Sequence, residues 1–170
     1  MRFRDRHHIF TGLAEPRRFE HELERQINDV AGGGGESALL MIDVGARFEE
    51  PQIATLAQML RRRVRGSDLV ARTARGEFAV LLHHTDRAHA ICVADSLLDA
   101  IHIEATARWN IASAASIGLA VTEDVSPLAP TTLADAAGVA MAEAKRADRD
   151  RLAIYDPRRH ELRHVSSRAA

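Results

Sequence analysis

A domain of the α/β or α+β class, built on one sheet, is what the sequence predicts. Three observations carry this expectation. Short apolar runs alternate along the chain with longer segments whose apolar residues fall three and four apart. Its 170 residues make about one domain, enough to bury roughly two-thirds of the unfolded surface without a disulfide or metal staple. The composition, 46% hydrophobic and 28% charged, excludes wholesale disorder. Helices interleaved with strands bury their apolar stripes against a sheet.

The elements follow in order. Residues 16–27 predict a helix with Phe19, Leu23 and Ile27 on one face. The four glycines 32–35 lack a following Gly-Lys-Ser/Thr, so they form a flexible connector and not a phosphate-binding loop. A strand follows at 38–44 (ALLMIDV), then a helix at 52–64 with Ile53, Leu56, Leu60 and Val64. The runs 68–72 (DLVAR) and 78–82 (FAVLL) flank Ala74, Arg75 and Gly76. They predict a hairpin in which Gly76 supplies a positive φ. The next helix is 87–103, with Ile91, Ala94, Leu97, Leu98 and Ile101. Within it the lone Cys92, unable to form an internal disulfide, is expected to be a small buried hydrophobe. A strand is expected at 111–121 (IASAASIGLAV). Ser126-Pro127-Leu128-Ala129-Pro130 then breaks the chain, with Thr131 or Thr132 as cap of a helix at 133–145 that carries Val139 and Met141. A last strand is expected at 152–155 (LAIY). The expected organisation is one domain, residues 1–157, followed by a polar tail, 158–170.

Charge and spacing narrow the function. A net charge of −1 argues against bulk attraction to nucleic acid. Lys145 is the only lysine among 23 basic residues. Arginine suits planar, bidentate recognition of phosphate and guanine edges, and a GC-rich coding sequence explains the same bias. No apolar stretch approaches the ~18 residues of a membrane span. The basic start, Met1 to His8, is followed by no apolar core of a signal peptide, so a cytoplasmic protein is expected. The adjacent pairs His7–His8 and His83–His84 are poorly spaced for chelation, and no metal site is expected. Trp109 and Phe10 are isolated and expected in the core or at its rim.

Two carboxylates stand out. Asp43 ends an apolar strand, and Glu77 lies at the exit of the predicted turn. Acids closing adjacent strands are how two-metal nucleotidyl-transfer sites are built, and solvated strand-end acids look the same in sequence. At this hairpin the chain resembles the GGDEF family, the bacterial diguanylate cyclases that make cyclic di-GMP from two GTP. Thr11-Gly12-Leu13 with Arg17 and Phe19 resembles the family's opening T-G-L-x-N-R-R-x-F, with Glu15 and Pro16 in place of the Asn and first Arg. Asp68 to Arg72 and Glu77 to Leu82 match the strands around the signature. Ser116-Ile117-Gly118-Leu119-Ala120 matches S-I-G-I-A. Ala144-Lys145-Arg146 with Arg149 matches the A-K-x-x-G-R ending. The resemblance implies an α+β fold with a central, mostly antiparallel, five-stranded sheet flanked by helices.

The departures fall where the resemblance places the chemistry. The signature reads Ala74-Arg75-Gly76-Glu77-Phe78. Arg75 puts a bulky side chain in the turn, and the family's metal-binding acid is Gly76. Asp43 matches the family's other metal aspartate, and Glu77 keeps its place. The family's guanine-reading segment is shortened by roughly ten residues to Val44-Gly-Ala-Arg-Phe-Glu-Glu-Pro-Gln52, with Glu50 near its last Asp. Asp43, Arg75, Gly76, Glu77, Lys145 and Arg149 are thus expected to form a vestigial active site with no catalytic residue, no metal and no cofactor.

Arg65-Gly66-Ser67-Asp68 is an R-x-x-D, separated by five residues from Ala74. That offset matches the family's inhibitory site, where an Arg and an Asp hold a stacked cyclic di-GMP dimer. A guanidinium can clamp phosphate or the O6/N7 edge of guanine, and a carboxylate can accept from N1–H and N2–H. The helical Arg that completes this site in relatives falls on Ser96, with Arg61, Arg62, Arg63, Arg72 and Arg75 as replacement charges. The expectation is an inactive domain acting as a cyclic di-GMP receptor through Arg65 and Asp68, with a ligand-promoted homodimer and a downstream protein partner. A nucleotide-independent interaction or dimerisation module is the alternative, and a residual cyclase a third.

Overall fold

The structure is a computed structural model, and it describes residues 13–112, 115–146 and 151–159. Thr11, Gly12, His7, His8, Phe10, Arg149 and nearly all of the expected tail lie outside the described residues.

Ten elements run in chain order. They are α1 (Pro16–Ala31), β1 (Ala38–Asp43), α2 (Glu50–Arg63), β2 (Leu69–Ala74), β3 (Glu77–Leu82), α3 (Arg87–Trp109), β4 (Ser116–Val121), a 3-10 turn (Thr122–Asp124), α4 (Pro130–Arg146) and β5 (Arg151–Ile154). The five strands form one sheet in the order β2-β3-β1-β4-β5. β1 lies between β3 and β4, antiparallel to both. β2 is antiparallel to β3, and only β5 pairs in parallel, with β4. The predicted α+β class and mostly antiparallel sheet are what the structure shows.

Both faces of the sheet are covered, which is why its strands read as unbroken apolar runs. Leu40 and Ile42 face Ile53, Leu56 and Leu60 of α2 and Ala94, Leu97 and Ile101 of α3. Leu39 and Met41 face Phe19, Leu23 and Ile27 of α1 and Leu133, Ala137 and Met141 of α4. Trp109 meets the buried ring of Phe48 edge-on at 5.9 Å, so it joins the core rim as expected.

Four expectations need correction. Cys92 is exposed. At 100° per residue, a helix that buries Ala90, Ala94 and Leu97 turns Cys92 to solvent. Helix α3 runs on to Trp109, where Asn110 caps it in the left-handed region (φ 52°) and donates its N–H to the carbonyls of Ala105 and Thr106. This end uses Ile111, whose N–H donates to the Ala105 carbonyl, so β4 starts only at Ser116. Val139 is an exposed apolar residue of α4, not a core one.

Candidate functional site

The hairpin forms as predicted. Arg75 and Gly76 connect β2 to β3, and Gly76 adopts φ +75°. A bulge between Arg72 and Ala74 re-aims the end of β2. The Gly76 carbonyl accepts the N–H of Val44 at 2.9 Å, which docks the turn on the end of β1. Asp43 and Glu77 are therefore direct cross-strand partners.

These two acids lie on the face of the sheet that α4 covers, and there they meet a cation. Lys145, in the last turn of α4, forms an ion pair with Asp43 Oδ2, and its Nζ lies 3.9 Å from Glu77 Oε1. The other Asp43 oxygen accepts the N–H of Gly45 at 2.6 Å. Asp43, Gly76, Glu77 and Lys145 are thus brought together. Arg75 is an exposed residue at the tip of the same turn.

Glu50 begins α2 and is held by Arg72 of β2 through both guanidinium Nη atoms, with Nη2 3.1 Å from Oε2. Arg72 Nε also donates to the Ala74 carbonyl at 3.2 Å. This clamp closes the short connection after β1 against the hairpin. Its start is fixed by a capping box between Glu49 and Gln52, with Pro51 in the first turn.

The R-x-x-D segment is a tight turn between α2 and β2. Asp68 N–H donates to the Arg65 carbonyl at 3.1 Å, while Asp68 Oδ2 accepts the Arg65 N–H at 3.0 Å. Asp68 Oδ1 accepts the N–H of His83 at 3.1 Å, and the residue is 4% exposed. In this structure Asp68 is an inward clasp, its carboxylate serving buried backbone donors that need an acceptor. Arg65 itself is exposed. Its Nη2 donates to Nε2 of His89 in the first turn of α3, an acceptor role forced on the imidazole because guanidinium has only donors. His89 is thus an α3 residue that meets Arg65. Arg62 and Arg63 stand exposed at the C-terminal end of α2, where the helix dipole favours cations.

Sequence reasoning passed over His83 except as a poor chelator. It is buried with both ring nitrogens lacking a hydrogen-bond partner. Burial pushes its imidazole below the ordinary value of 6.5, against the pull of Asp68 and Glu22, with Arg25 and His84 adding to the drop. The neighbouring His84 is exposed, so the pair is split across the strand end. A separate cavity of about 440 Å³ opens beside β5, lined in part by Arg87, Asp124 and Tyr155. Burial pushes the Asp124 carboxyl up in spite of its ion pair with Arg87. None of the predicted site residues that the structure describes lines it.

Residues 6–151 match the family profile described as "Diguanylate cyclase, GGDEF domain". The chain belongs to the GGDEF family. This GGDEF domain is 31% identical over 169 residues to diguanylate cyclase TpbB of Pseudomonas aeruginosa, covering 89% of this chain and 38% of that protein. It therefore spans well under half the length of that curated relative. The solved GGDEF domain of TpbB superposes with a TM-score of 0.78 at 28% identity, covering 93% of this chain and 99% of that one. The GGDEF domain of DgcB from Caulobacter crescentus, solved with its coiled coil in complex with c-di-GMP, shares the fold. Its TM-score is 0.71 at 18% identity, covering 85% of this chain and 82% of that one. Among the described residues no helix is long and apolar enough to cross a membrane.

Proposed function

We propose that this GGDEF domain is a cytoplasmic cyclic di-GMP receptor that does not cyclise GTP. The observation that carries the proposal is the exposed Arg65 guanidinium on a turn that the Asp68 carboxylate closes from inside. A pre-set turn loses little entropy on binding, so the charge-assisted contacts of Arg65 to phosphate or guanine go into affinity. Arg62 and Arg63 add positive field beside it, and a c-di-GMP complex of the structurally similar DgcB domain is consistent with this ligand class. Asp68 acts as a positioning residue. The lack of cyclisation rests on Gly76, which has no ligand atom, and on Glu50 being clamped by Arg72 where the guanine-reading segment is shortened. One stacked ligand dimer bridging two Arg65 turns would also promote homodimerisation, and a downstream protein reads the change.

A nucleotide-independent interaction module is the second reading, favoured by one observation: both Asp68 oxygens are already engaged by backbone N–H groups. Calorimetry with cyclic di-GMP separates the two. Saturable binding that Arg65→Ala weakens about thirtyfold or more, the scale for losing one charged partner, supports the receptor. No heat and no thermal shift in the wild type leaves the interaction module.

A further inference from the structure

Members of this fold family that cyclise GTP use divalent cations, and the donor set here does not fit one. Mg²⁺ demands near-octahedral oxygen coordination, usually from one or two carboxylates with water and phosphate. At this rim Asp43 Oδ1 already accepts the Gly45 N–H, and the Gly76 carbonyl already accepts the Val44 N–H. Gly76 contributes no side-chain oxygen. The two side-chain carboxylates at the rim, those of Asp43 and Glu77, both face the Lys145 ammonium. No cluster of three or more His, Cys, Asp and Glu side chains able to hold a metal occurs among the described residues.

We propose that Lys145 is a built-in counter-ion standing where a divalent cation would otherwise be needed. The centre then works as a metal-independent tie between α4 and the sheet. The need for a cation follows from the register. Asp43 and Glu77 are directly opposed across β1 and β3, and like charges in that position repel. Removing one metal-binding acid at Gly76 lowers the negative charge enough for a single ammonium to serve. An ammonium is a compact point charge on a flexible stem, suited to sit between two oxygens of different strands. A guanidinium fork matches one carboxylate bidentately and suits this place less well. Lys145 is also the only lysine in a chain whose other basic residues are all arginine, so the ammonium is found where this geometry calls for it.

The single lysine supplies its own probe. Acetylation with an amine-selective ester, followed by peptide mass spectrometry, reads one ε-amine. It should proceed several-fold faster in Asp43→Asn than in the wild type. Mn²⁺ titrated against the wild type should show no saturable binding by electron paramagnetic resonance and no shift in melting temperature. Lys145→Met should melt about 2–4 °C lower, and much of that loss should be absent when the same change is made in an Asp43→Asn background. Saturable Mn²⁺ binding by the wild type that Asp43→Asn abolishes would overturn the proposal. Equal acetylation rates in wild type and Asp43→Asn would do the same, and that comparison stands even if Lys145→Met does not fold. No outcome depends on cyclic di-GMP.

Discussion

Asp68 Oδ1 accepts the backbone N–H of His83, so the end of β3 and the turn that carries Arg65 hang on one carboxylate. The turn that carries Arg65 is thereby tied to the backbone of a residue whose imidazole is buried. Both ends of the tie are accessible to mutation and to pH.

Mild acid should weaken the fold through His83. The His83 imidazole is held below its ordinary 6.5 by burial first of all. As pH falls through 6.5 the unfolded chain takes up a proton that the folded chain refuses, so stability drops until the folded value is reached. Stability is fully present above that window. Urea melts between pH 7.5 and 5 should therefore show a falling midpoint in the wild type and a flatter profile in His83→Leu. Identical profiles would remove His83 as the cause.

Asp68→Asn preserves size but turns an NH₂ toward one of the two backbone donors. A buried donor left without an acceptor costs about 1–3 kcal/mol. The variant should lose that much in urea unfolding and should weaken cyclic di-GMP binding, because the Arg65 turn is no longer closed. Unfolding at the wild-type midpoint would show that the carboxylate does not hold the turn.

Two glycines should respond in opposite directions. A Cβ on Gly118 would stand 2.1 Å from Met141 N and 2.2 Å from the Ala137 carbonyl, backbone atoms of a helix that has nowhere to go. Gly118→Ala should cost about 3 kcal/mol or more by overpacking. Gly138, mid-way along α4, has nothing within 4 Å of the same atom, and Gly138→Ala should gain about 0.5–1 kcal/mol. Thermal melts of both decide the matter.

Restoring the missing acid should fail twice over. Gly76 sits at φ +75° with the Gly45 carbonyl 3.2 Å from where a Cβ would lie. Gly76→Asp should cost about 1–2 kcal/mol in backbone strain and should yield no cyclic di-GMP from GTP with Mg²⁺ or Mn²⁺. Product detected by chromatography would place the shortened segment after β1 wrongly.

What the sequence made legible was local. Alternating apolar periods located every strand and every α-helix, but not the 3-10 turn after β4. The glycine at 76 located the turn, and the acid ends of β1 and β3 were visible because strand register is local to a hairpin and its neighbour. What stayed hidden depends on long-range packing. Lys145 meets Asp43 across about a hundred residues of chain. His89 reaches Arg65 only because α3 packs against α2, a contact no local pattern announces. The inward turn of Asp68 is invisible in a tetrapeptide, since the same letters serve a solvated loop. Cys92 was misplaced because a run of five apolar residues says nothing about which side of a helix faces out.

The position of β1 between two antiparallel neighbours, with both faces covered, bears on how long each site survives fluctuation. Amides of β1, next to Asp43, are shielded on every side and should exchange with deuterium only when the whole domain opens. The Arg65 turn leads into β2, at one edge of the sheet, and is closed by side-chain acceptance and a single turn bond. Its protection is set by local opening and can change by orders of magnitude while β1 stays sealed. The frame that holds Asp43 and Glu77 in register is thus the slowest part of the molecule, and the Arg65 turn is free to be among the fastest.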